Sequence, residues 1–65
     1  MKRSELIKYE NQSVILKYNN AVGLQDRTGY IKSITMEVVV FWPMMDEKEI
    51  ELQILFKDIE DVKLI

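Results

Sequence analysis

Neither cysteine nor histidine occurs among the 65 residues. Without cysteine the fold takes no help from disulfides, and without either residue the ordinary zinc sites are excluded. The usual catalytic bases and thiol nucleophiles are missing with them. Ser4, Ser13 and Ser33 have no recognisable base partner, so the chain predicts no catalytic residues and no enzyme. Glycine is scarce too, with two residues, and there is a single proline. Long flexible linkers are therefore absent, and we find no repeat or low-complexity segment. The longest apolar run, Val38 to Met45, falls far short of the ~20 residues that cross a bilayer. Met1-Lys2-Arg3 leads into Ser4-Glu5 rather than an apolar stretch, so no signal peptide and no membrane partner are expected. A cytoplasmic location follows as the expectation.

What is present points to one small β domain, residues 1–65. Such a domain buries only ~60% of its unfolded surface. Burial then barely exceeds the conformational entropy lost, and a second copy of the chain becomes a natural aid to stability. A monomer with an efficient core is the alternative. The net charge is −2, but it is unevenly spread. Six basic residues against three acidic ones leave +3 in residues 1–33, and three against eight leave −5 in residues 34–65. Such asymmetry suits a basic face for nucleic acid, an acidic face for a basic partner, or a mixed surface.

The clearest pattern is Glu49 to Phe56. Ile50, Leu52, Ile54 and Phe56 alternate with polar residues up to Gln53, which is the period of a strand with one buried face. Ser13 to Tyr18 alternates likewise. Ile31 and Ile34 are three apart, so a flat strand would send them to opposite faces. A bulge near Lys32-Ser33 would put both inside. Met36 to Trp42 reads as the next strand, apolar on both faces and ended by Pro43, which lacks an N–H. The core is expected to join Ile50, Leu52, Ile54 and Phe56 to Val14, Leu16, Ile31, Ile34, Val38 and Val40. Ser4 is the expected cap of a short helix from Glu5 to Tyr9, docked through Leu6 and Ile7. Asn19 to Gly29 reads as a long loop. Lys57 to Asp61 reads as a tight turn into a last short strand with Val62 and Leu64 on one side. Asp58 is expected to cap that turn.

This order is similar to that of SH3-like and Sm-like small β-barrels, in which a one-turn 3₁₀ segment joins the last two strands. The resemblance rests on Gly29-Tyr30-Ile31-Lys32-Ser33-Ile34 and on Ile54-Leu55-Phe56-Lys57-Asp58-Ile59-Glu60-Asp61-Val62. The same stretches resemble the YolD-like family of small bacterial and phage proteins. The expectation is an all-β, five-stranded barrel with a short N-terminal helix. A bacterial or phage accessory role follows, binding or inhibiting a host protein. The chain lacks the basic loop positions by which Sm-like proteins hold RNA, so no functional residue is carried over.

Two surfaces are candidates. Trp42, Met44 and Met45 sit beside acidic residues, at what reads as a hairpin tip. Trp and Met are residue types enriched in interfaces, and Met adapts to a partner's shape. They point to contact with another protein or with a second copy, unless the hairpin folds back and Trp42 caps the barrel. Lys17, Arg27, Tyr30 and Lys32 could instead form a basic stacking surface for single-stranded nucleic acid in an Sm-like oligomer. The overall negative charge weakens that alternative. Asp46, Glu47, Glu49 and Glu51 do not match a calcium loop and read as a solvated face. No metal or cofactor is expected.

Overall fold

The computed structural model describes residues 1–44 and 50–65. A helix, α1 (Arg3–Leu6), passes into a 3₁₀ turn at Ile7–Tyr9. Five strands follow: β1 (Ser13–Asn20), β2 (Gly23–Ile34), β3 (Val38–Pro43), β4 (Leu52–Leu55) and β5 (Ile59–Leu64). A second 3₁₀ turn, Phe56–Asp58, joins the last two, as expected. All neighbours are antiparallel, and the order across the sheet is β4-β3-β2-β1-β5. The two outer strands do not pair with each other among the described residues, so the sheet is open rather than a closed barrel.

Alternation builds the inward face. Val14, Leu16 and Tyr18 of β1 are buried, and so are Ile59 and Val62 of β5. Ile59 and Val62 are three apart, and the register shift against β1 brings both inward, while Leu64 shares the parity of Val62 but lies exposed at the strand end. The register of β2 against β3 shifts between Ile31 and Ser33, and Ile31 and Ile34 are both buried. The expected bulge is there. It bends the longest strand over the core, because the extra residue raises the local twist.

Three expectations need correction. First, the long loop does not exist. β1 and β2 pair without a break from Ser13↔Tyr30 to Asn20↔Gly23. Only Ala21 and Val22 turn. Asn20 Oδ1 accepts the Val22 N–H at 2.9 Å, and Gly23 takes φ +110°. Cross-strand pairing overrides the low strand propensity of Asn, Asp and Gly. Second, β3 faces the other way. Val39, Phe41 and Pro43 point inward, whereas Val38 and Val40 are half-buried on the outer face. A run apolar at both parities carries no phase of its own. The phase is set by Thr35, whose N–H and hydroxyl both donate to the Val38 carbonyl, so Met36 belongs to the turn. Third, β4 is four residues long. Ile54 is buried, and Leu52 and Phe56 pack half-buried against the core as expected, while Ile50 is half-buried outside the strand.

The ends close over the core. Lys2, not Ser4, takes the cap position, and the Glu5 carboxylate accepts the Lys2 N–H at 2.9 Å. Leu6 is fully buried, while Ile7 stays largely exposed. The N-terminal amine donates to the carbonyls of Phe56 and Ile59, and Arg3 Nε donates to that of Thr35. The second 3₁₀ turn has no side-chain cap, so Asp58 does not play the expected role.

Candidate interaction surface

Trp42 lies on the outward face of β3, with 42% of its surface exposed. It neither caps the core nor projects from a tip. Its cross-strand partner is Tyr30, and the two ring centroids are 6.0 Å apart at a tilt of 35°. That separation is in the favourable range for tilted aromatic pairs. Lys32, also outward on β2, holds its ammonium 5.4 Å from the Trp42 ring, a cation–π distance. The indole N–H donates to Glu51 Oε1 at 3.0 Å. Tyr30 in turn donates its hydroxyl to Asn11 Oδ1 at 3.1 Å. Asn11 reaches this position because it adopts φ 62°, which asparagine tolerates well. The aromatic pair is therefore held on three sides and open to solvent on its outer side.

Pro43 does not end the ladder. It pairs with Gly29, and the Met44 N–H donates to the Thr28 carbonyl at 2.9 Å. Backbone N–H groups alternate in direction along a strand. The nitrogen of Pro43 thus faces the side where β4 has ended at Phe41↔Leu52, and its missing N–H costs no sheet bond. Met44 emerges beside Trp42 with 72% of its surface exposed. Met45, the third member of the expected protein-contact set, lies outside the described residues.

The second candidate set divides. Tyr30 and Lys32 join Trp42, so half of the proposed stacking surface merges with the protein-contact surface. Lys17 is outward but stands opposite Asp26 on β2 and Asp61 on β5. Those carboxylates offset its charge for any phosphate. Arg27 lies opposite buried Leu16, on the inward face, and is half-buried. The four residues do not form one basic surface.

Around Trp42 the outer face is mixed. Val38 and Val40 continue it along β3, and Leu55 and Gln53 lie opposite them on β4. Glu51, which read from the sequence as part of a solvated face, is the neighbour of Trp42 that the sequence did not link to it. The signal was present: continuing the pairing Val40↔Gln53 by two residues sets Trp42 against Glu51. No cluster of potential metal ligands occurs among the described residues. No helix among them is long and apolar enough to cross a membrane. No protein-family model, curated protein or solved structure matches the chain.

Proposed function

We propose that this chain is a small, non-enzymatic protein-interaction module whose contact surface centres on Trp42. One observation carries the reading: Trp42 on the outer face of β3 and Met44, two residues further along the chain, are both open to solvent. An indole already ordered by Tyr30, Lys32 and Glu51 loses little side-chain entropy when a partner covers it. Interface anchors of this kind are pre-formed aromatics at the centre of a patch. Val38, Val40 and Leu55 supply apolar surround, and Lys32 with Glu51 supplies one charge of each sign for orientation.

The strand order and the 3₁₀ turn before β5 support an SH3-like or Sm-like architecture, with the sheet curling toward a barrel. The likeness to small bacterial and phage proteins supports a cytoplasmic accessory role, binding or inhibiting a host protein. A second copy is also a partner. Among the described residues the outer edge of β5 is unpaired, and Leu64 and Ile65 beside it are exposed. An open apolar edge is a template for strand pairing, here as a two-fold dimer of β5 edges.

Single-stranded nucleic acid is the second reading, favoured by the Tyr30–Trp42 pair with Lys32 above it. It is the weaker, because Arg27 and Lys17 do not extend the patch into a track for phosphates. The test is the double variant Trp42→Ala, Met44→Ser. The variant keeps the parent circular dichroism spectrum and binds a captured partner at least tenfold more weakly, which is ~1.4 kcal/mol. Capture that vanishes on nuclease treatment moves the assignment to nucleic acid. Undiminished capture by the variant removes this surface from the account.

A further inference from the structure

A cleft of about 270 Å³ lies on the far side of β4 from β3, lined by Tyr18, Asn19, Asn20, Asp58 and the strand itself. All four residues of β4, Leu52 to Leu55, line it. Side chains of consecutive strand residues point to opposite faces. A cleft that touches all four therefore runs along the edge of the strand, where the backbone itself is reached. The opposite wall has the same character. Three consecutive residues at the end of β1 line it, and pairing of β1 with β5 stops at Tyr18↔Ile59. Asn19 and Asn20 have lost their β5 neighbour at that point. Among the described residues, two unpaired strand edges thus border one slot at the open seam of the sheet.

We propose that this slot is a second binding site, which takes an extended peptide segment carrying a basic side chain. Backbone pairing with β4 supplies the main attraction, as in strand addition to an exposed sheet edge. Four residues of β4 span about 13 Å at the usual strand rise, enough for a segment of four residues. The amides of Asn19 and Gln53 stand at the walls for further hydrogen bonds. The basic preference comes from charge. Among the described residues Asp58 is the one ionised residue lining the slot, and it belongs to the half of the chain that carries −5. A lysine or arginine of the peptide pairs with it, and an acidic segment is repelled. The slot shares Gln53 and Leu55 with the outer face around Trp42 but neither the indole nor Met44, and the proposal does not rest on that surface.

The experiment titrates the full chain with three blocked pentapeptides and follows the backbone amides by NMR. The probes are an alternating Val/Thr peptide with a central lysine, the same peptide with a central glutamate, and the lysine peptide N-methylated at every residue. The lysine peptide is expected to shift the amides of Leu52 to Leu55 and of Asn19 and Asn20, and to bind at least tenfold more tightly than the other two. Asp58→Asn is expected to erase the preference for lysine over glutamate. The N-methylated probe tests the backbone part on the unaltered protein, so the proposal remains testable where the variant fails to fold. No shift at millimolar lysine peptide, equal binding of lysine and glutamate peptides, or equal binding of the N-methylated probe each overturns the proposal. So does concentration-dependent protection of the β4 amides in the free protein, which would make a second copy the occupant.

Discussion

Gly29→Ala is the sharpest perturbation of the scaffold that presents Trp42. Gly29 is buried and pairs with Pro43 across β2 and β3. A Cβ there would lie 2.5 Å from the Trp42 carbonyl oxygen, 2.6 Å from Phe41 Cζ and 2.9 Å from Pro43 Cα. Two of these are backbone atoms of a paired strand, and Phe41 is fully buried with nowhere to turn. Relief requires β3 to move off β2 at the residues that hold the indole. Overpacking of this kind costs about 2–3 kcal/mol, the upper part of the usual range, because backbone rather than a flexible side-chain end must shift. A domain of this size has about 3–10 kcal/mol in total. The melting temperature should fall by about 8–24 °C, at about 4–8 °C per kcal/mol. Thermal unfolding followed by circular dichroism reads the shift, and the Tyr30–Trp42 contact should loosen with it. A variant that melts within a degree or two of the parent would refute the close approach of the two strands.

Other outcomes follow from the same geometry. Val39→Ala should cost about 2–3 kcal/mol and Val40→Ala about 1 or less, since only Val39 faces the core; equal losses in urea unfolding would contradict the phase of β3. Asn11→Gly should unfold near the parent, whereas Asn11→Ala should lose about 1 kcal/mol at its φ of 62°, with Tyr30→Phe measuring the hydrogen-bond share separately. Calorimetric titration with magnesium, calcium or zinc should show no micromolar site, and a saturable one would overturn the expectation drawn from the residue types.

The alternating strands were legible because their two parities differ. Val14, Leu16 and Tyr18 announce their face, and the spacing of Ile31 and Ile34 announces the bulge. Val38 to Trp42 was not legible in phase, since every residue is apolar and only the Thr35 turn decides which face is buried. Asn19 to Gly29 looked like a loop because its residues favour turns. Eight successive pairs with β1 outweigh that local preference, and propensity says nothing of a partner strand. The site was half legible. Trp42 and Met44 stood out by residue type, and Tyr30 and Lys32 were named for a different ligand. That they meet at one place depends on the β2–β3 register, which the bulge shifts and the sequence does not number. Arg27 was misplaced because its stretch read as a loop; within β2 it shares the parity of buried Ile31 and faces inward.

Trp42 is the only tryptophan in the chain, so one label reports the proposed contact surface alone. Protein carrying 5-fluorotryptophan gives a single fluorine resonance, observable by NMR in nuclease-treated bacterial lysate without background. The account predicts that this resonance shifts and broadens as a partner covers the indole, and that unlabelled parent protein, but not the Trp42→Ala, Met44→Ser variant, restores it by competition. A resonance as sharp and unshifted in lysate as in buffer would contradict the assignment of this surface to protein binding.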